Sequence, residues 1–171
     1  LERLGLGRSR RLAEVLEVDV GWEAAVETVL QGWLDAVLVD SPSAFETELH
    51  ALEQVNLTLL SATSSDTGFP AGTLAAKARG PVAALNLLAR VTTVESIGAA
   101  QSAMPMLGDG QSLITPEGEW IGPGFARIAR SQGAQAGVLS REREISGLSE
   151  RIAELESEIS ALVTQQEDAR L

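Results

Sequence analysis

The side chains able to do chemistry in this chain are few and poorly grouped. His50 is the one histidine among 171 residues, and there is no cysteine. Composition alone therefore excludes two-histidine zinc motifs, thiolate metal sites and disulfides. A serine nucleophile would need His50 as its base. No serine stands in a Gly-x-Ser-x-Gly elbow, and His50 falls on the polar side of an expected helix, where a solvated surface role is the plainer reading. Asp19 and Glu23 lie where a helix begins, and carboxylates there suit the positive end of the helix dipole better than an acid–base pair. No glycine-rich loop ends in Lys-Ser or Lys-Thr, so a phosphate-cradling loop is absent. The cations come in groups: Arg8, Arg10 and Arg11, then Lys77, Arg79 and Arg90, then Arg127 and Arg130. Gathered on one face they would make a local positive patch. Scattered, they would pair with the carboxylates, which outnumber them 24 to 13 for a net charge of −11. With a single lysine, no tyrosine and 4% aromatic residues, the chain is not built to coat nucleic acid or to stack bases. No metal, cofactor or small-molecule ligand is expected.

The elements that would carry these residues fall into two regions. Fourteen of the 16 glycines and all six prolines precede Gly137. Beyond it runs an apolar rhythm with steps of 3, 4, 3, 4 and 3: Ile145, Leu148, Ile152, Leu155, Ile159 and Leu162. This is a heptad with Ile at a and Leu at d, a combination that favours two strands. Glu142, Glu144, Glu150, Arg151, Glu154, Glu156 and Glu158 flank it. A stripe this narrow fits another helix better than the face of a globular domain, although a terminal helix folded back on the domain would share the pattern. No apolar run approaches the roughly 20 residues of a membrane-spanning helix, so no membrane partner is expected. Leu1 opens the chain with no signal-peptide pattern, and the expectation is a piece of a longer, cytoplasmic protein.

The first region alternates strands and helices. Val15 to Val18 reads as a strand. A helix after Gly21 puts Trp22, Ala25, Val26, Val29, Leu30 and Trp33 on one face. Residues 36–39 read as a buried strand. Ser41-Pro42 opens a helix burying Phe45, Leu49 and Leu52, and residues 57–60 form another strand. Residues 61–81 are loop-rich. A second unit follows, with a helix at 82–88, a strand at 90–94, a helix at 95–104 carrying Ile97, Ala100 and Met104 inward, and a strand at 112–115. Thr115-Pro116-Glu117-Gly118 fits a type I turn. Residues 119–121 return from it, and residues 125–128 make an edge strand. The fold class is α/β (α+β).

Three stretches resemble the hinge domain of SMC (structural maintenance of chromosomes) proteins, above all the bacterial, condensin-type ones. Val18-Asp19-Val20-Gly21-Trp22-Glu23-Ala24-Ala25-Val26-Glu27, running on to Leu34-Asp35-Ala36-Val37-Leu38-Val39, resembles the family's opening helix and strand. Leu87-Leu88-Ala89-Arg90-Val91-Thr92-Thr93-Val94 is similar to a strand of its second half. Leu113-Ile114-Thr115-Pro116-Glu117-Gly118-Glu119 resembles its hairpin, and residues 137–145 resemble the entry to its returning coiled coil. The order of the pieces covers essentially the whole chain. The family's paired-glycine stretch after the hairpin is here Ile121-Gly122-Pro123-Gly124-Phe125, with isolated glycines.

The resemblance implies two α/β subdomains, at about 8–62 and 80–130 within a hinge of residues 1–136, forming an open half-ring. A coiled-coil helix follows at 137–171. It implies homodimerisation through strand edges, with Arg90, Val91, Thr92, Thr93, Val94, Gly122, Gly124, Phe125, Arg127 and Ile128 as candidate contacts. The heptad stripe would meet an N-terminal coiled-coil helix of the parent chain. The parent would be an ATPase through heads this piece lacks, so the piece itself is not expected to be an enzyme. Its place would be the nucleoid, in chromosome condensation and segregation. Weak DNA contact would fall to Lys77, Arg79, Arg127 and Arg130. Two other classes fit the same pattern: an unrelated dimeric α/β scaffold, and a small α/β enzyme or ligand-binding domain with an oligomerising helix. Convergent carboxylates in a deep polar pocket would mark the last.

Overall fold

The structure, a computed structural model, describes residues 6–45, 56–64, 68–128 and 137–168. The chain divides into two compact units, Leu1–Leu139 and Ser140–Leu171. In the first, a short helix α1 (Leu12–Val15) leads into strand β1 (Glu17–Val18), helix α2 (Glu23–Leu30) and strand β2 (Val37–Val39). Strand β3 (Leu59–Ser61), strand β4 (Ala78–Arg79), helix α3 (Val82–Leu88) and strand β5 (Val91–Thr93) follow. Helix α4 (Ile97–Ala103), strands β6 (Ser112–Ile114), β7 (Glu119–Gly122) and β8 (Phe125–Ile128), and the long helix α5 (Val138–Asp168) complete the order.

The expected α/β pattern is present. β2 and β3 pair in parallel, as do β5 and β6, with α4 as the crossover of the second pair. β6, β7 and β8 continue antiparallel, so one sheet has the order β5-β6-β7-β8. Ser96 caps α4 by accepting a hydrogen bond from the Ala99 amide at 3.2 Å.

Four local expectations change. Val15 belongs to α1 rather than to a strand, and the shorter β1 pairs antiparallel with β4. α2 ends at Leu30, after which the chain turns and buries Leu34, so Trp33 lies outside the helix and is 38% exposed. The loop-rich stretch at 61–81 contains a 3₁₀ turn, Leu74–Lys77, whose Leu74 is fully buried. Pro42–Phe45 is a 3₁₀ turn, with Phe45 against Leu6, Val37 and Val39. Leu49, His50 and Leu52 lie outside the described residues.

The largest core gathers Leu12, Val26 and Leu30 from the first expected subdomain with Leu85, Leu88, Val91 and Ile114 from the second. Leu74, from between them, joins the same cluster. Two sets of side chains sharing one interior are held as one body, because neither can expose its apolar face without the other. Leu139 is also part of this core, so the folded unit extends past Gly137 into the first turn of α5.

Candidate dimerisation edge

β8 closes one side of its sheet. Its connection to β7 is Pro123-Gly124, with Gly124 at φ +83°, which fits a type II turn with Pro at the second position and Gly at the third. The hydrogen-bonding direction of β8 follows from the register. The Thr115 amide donates to the Glu119 carbonyl at 3.1 Å, so Glu119 and Ile121 bond toward β6, and Trp120 and Gly122 toward β8. Trp120 is opposite Arg127 and Gly122 opposite Phe125. Phe125 and Arg127 therefore spend their backbone groups on β7. Ala126 and Ile128 direct theirs outward, to an edge with no partner among the described residues.

The side chains at this edge are apolar and open. Phe125 is 44% exposed and Ile128 56%. The Phe125 ring meets Trp120 edge-on, with centroids 5.3 Å apart at 83°. The Trp120 indole N–H donates to Ser112 Oγ at 2.8 Å, which fixes the indole. Phe125 lies over Gly122, where a Cβ would come within 2.3 Å of its Cε1. Arg127 turns to α2 and donates to Gln31.

The opposite edge of the sheet differs. Thr92 bridges Thr73, and the Thr93 amide and hydroxyl both donate to the Gly72 carbonyl, at 2.8 and 3.0 Å. Arg90, Val91, Thr92, Thr93 and Val94 thus lie on a strand that this chain already covers in part. Toward β6, the Arg90 carbonyl accepts from Ser112 and the Val94 amide donates to Ile114. The structure does not bring residues 90–94 beside Gly122, Gly124, Phe125, Arg127 and Ile128, since β6 and β7 stand between them.

The hairpin is held on α2 by close packing. Gly118 has φ +83°, and a Cβ there would meet Thr28 Oγ1 at 2.7 Å and the Ala24 carbonyl oxygen at 3.0 Å. The buried Thr115 hydroxyl donates to Glu119 Oε2 and accepts from the Glu119 amide, each at 3.2 Å. Sequence reasoning assigned no role to Glu27. Its carboxylate accepts from the Gly137 amide at 3.0 Å and the Leu139 amide at 2.8 Å, occupying free donors where α5 begins. The available signal was polar residues at helical spacing, Glu27 and Thr28 on α2 and Gln31 at its C-cap.

Several of the described cations meet a partner within the fold. Lys77 Nζ stands 5.6 Å from the Trp22 ring centroid, and Arg79 is 3.9 Å from Asp19. Arg11 pairs with Asp35 at 3.3 Å. Arg130 lies outside the described residues. A cleft of about 530 Å³ is lined largely by Val15, Phe69, Ala75, Ala78 and Leu85, and Glu17 is its one carboxylate among the described residues. In the second unit, Ile145, Leu148, Ile152, Leu155, Ile159 and Leu162 are 41–64% exposed along α5.

Residues 7–104 match the family model of the SMC proteins' flexible hinge domain. The chain belongs to the SMC hinge family. It is 39% identical over 155 residues to a chromosome partition protein Smc of Xanthomonas oryzae, covering 91% of this chain and 13% of that protein. It is 37% identical over 150 residues to the Smc of Coxiella burnetii, covering 86% of this chain and again 13% of the relative. The hinge therefore spans about an eighth of the curated relatives it matches. Among solved structures it is similar to an asymmetric dimer of the Geobacillus stearothermophilus SMC hinge domain. The TM-score there is 0.63 at 24% identity, over 94% of this chain and 73% of that one. It is also similar to the Pyrococcus furiosus Smc hinge domain with an extended coiled coil. The TM-score is 0.54 at 22% identity, over 96% of this chain and 64% of that one. These likenesses support the hinge fold, with the α/β body and the long helix as its parts. The matched family segment contains the Gly21 to Glu27 stretch and β5 but stops before β6, β7 and β8.

Proposed function

We propose that this chain is the homodimerising hinge of a chromosome-partition SMC protein. It joins two coiled-coil arms in chromosome condensation and segregation, at the nucleoid. The observation that carries the reading is the outer edge of β8. There, outward backbone groups of Ala126 and Ile128 adjoin exposed Phe125 and Ile128. An uncovered apolar edge is a liability unless a strand of a second copy adds to it. Gly122, Gly124, Phe125, Arg127 and Ile128 are the contacts this reading favours, and residues 90–94 stand behind them. The Ile145 to Leu162 stripe is the seam for an N-terminal helix of the parent chain. ATP hydrolysis belongs to head domains of the parent, and weak DNA contact by this piece falls to Lys77, Arg79, Arg127 and Arg130.

The test is sedimentation equilibrium of residues 1–171 at micromolar concentration. Ala126→Pro removes an outward N–H while leaving the bonds to β7 intact, and proline is tolerated at that kind of edge position. The variant should be monomeric with native circular dichroism, whereas Ile152→Asp, which breaks only the seam, should remain dimeric. A dimeric Ala126→Pro together with a monomeric Ile152→Asp would place self-association in the long helix and refute the hinge interface.

A further inference from the structure

α2 has two faces with different work. Ala25, Val26 and Leu30 are buried in the core. The polar stripe on the other side does not simply face water. Ala24 and Thr28 receive the Gly118 turn, Glu27 holds the Gly137 and Leu139 amides, and Gln31 accepts from Arg127 of β8. This eight-residue helix and its C-cap Gln31 thus touch the sheet's edge strand β8 and the first residues of α5, all within the Leu1–Leu139 unit. The Glu27 contact reaches 110 positions along the sequence and is part-buried. A carboxylate accepting two amides at a helix start is a charge-assisted cap, stronger than a neutral one.

We propose that α2 is a transmission element, with Glu27 as the positioning residue that anchors the root of α5 and Gln31 as its hold on the edge strand. This rests on the reading of β8 as the dimerising edge. Linkage makes the effect reciprocal: if pairing at β8 steadies α2, it also steadies the root, and a loosened root weakens pairing by the same factor.

Residue-resolved amide exchange on the 171-residue chain tests it. In the wild-type dimer the Gly137 and Leu139 amides should exchange at least tenfold more slowly than in Glu27→Ala. Glu27→Gln, which keeps one neutral acceptor, should fall between. The Ile114 amide in β6 reports whether the core is intact and should not change. In Ala126→Pro, which leaves α2 untouched, the same two amides should exchange several-fold faster than in the wild-type dimer. Gln31→Ala should remove that difference. Leu139 exchange within twofold of wild type in Glu27→Ala would overturn the anchor. Equal protection in the dimer and in monomeric Ala126→Pro would overturn the transmission. A wild-type chain that sediments as a monomer would instead overturn the edge reading and the transmission with it, leaving the anchor to the Glu27→Ala result alone.

Discussion

Gly122 is the position where a one-carbon change should report most directly on the candidate edge. A Cβ built there lies 2.3 Å from Phe125 Cε1, 2.7 Å from Cζ and 3.1 Å from Cδ1. Carbon atoms rest about 3.5–4.0 Å apart, so the ring must move by more than an ångström. It is 44% exposed and can swing outward. The loss is then its edge-on contact with Trp120, worth about 0.5–1.5 kcal/mol. Against this, alanine in place of glycine within a strand contributes about 0.5–1 kcal/mol. Gly122→Ala alone should therefore change stability little. In a Phe125→Ala background there is no ring to displace, and the same substitution should stabilise by about 0.5–1 kcal/mol. The alanine gain is common to both backgrounds, so the coupling between the two sites is the lost ring contact, about 0.5–1.5 kcal/mol. Urea unfolding of all four proteins, followed by tryptophan fluorescence, measures it. The cycle belongs in the Ala126→Pro background, because unfolding of a dimer mixes intrachain stability with association. Additivity of the two substitutions within about 0.3–0.5 kcal/mol, the scatter of independent sites, would refute the placement of the ring over Gly122.

Gly118→Ala should cost far more than Gly122→Ala. The new Cβ meets the Ala24 carbonyl oxygen and Thr28 Oγ1 rather than a mobile ring, at a φ of +83°. Strain and overpacking of about 2–5 kcal/mol are expected, read as a drop in urea midpoint, with Thr28→Ala relieving only the hydroxyl part. Leu74→Ala should destabilise the whole body by about 2–5 kcal/mol despite its place in a glycine- and proline-rich stretch, since Leu74 is fully buried. Urea unfolding should then show a single transition at lower midpoint. A separate early transition confined to one part of the body would contradict the shared core.

The elements legible in the sequence are those marked by an apolar or β-branched run beside a turn or capping residue. β2, α3, β5, α4, β6, β7 and β8 fall close to their expected places, and the a and d residues lie along α5. What escaped is short or non-local. Leu74–Lys77 and β4 have no apolar or β-branched run to mark them, only Leu74 among alanines and cations, and Leu74 is fixed by partners far away in the sequence. The β1–β4 pairing joins residues on either side of two other strands, and nothing in either segment names the other. Glu27 was present as the last residue of the Gly21 to Glu27 stretch, but its partners are the Gly137 and Leu139 amides, and a backbone donor leaves no mark in a sequence. The isolated glycines near β8 were readable only as a departure from a pattern. The structure gives each a separate cause: Gly124 supplies the positive φ after Pro123, and Gly122 makes room for Phe125.

The two edges of the main sheet show how this chain distributes its protection. β5 is shielded from within, because Gly72 and Thr73 occupy part of its outer side. β8 carries none of the usual guards on its outward groups. Its one proline neighbour, Pro123, lies in the turn, and its one charge, Arg127, is drawn back to Gln31. Proteins that leave an edge open blunt it with lysine, proline or a bulge. The single lysine of the chain, Lys77, is instead placed against Trp22. The net charge of −11 is damped beyond about 8–10 Å in physiological salt, so it repels a second copy only on close approach. In the proposed interface, a partner must therefore offset that repulsion through the outward groups of Ala126 and Ile128 and the exposed faces of Phe125 and Ile128. An acidic body whose β8 edge has no partner among the described residues discriminates by geometry, because only a strand that matches the outward groups and the two apolar side chains repays the close approach, as the proposed dimerising role requires.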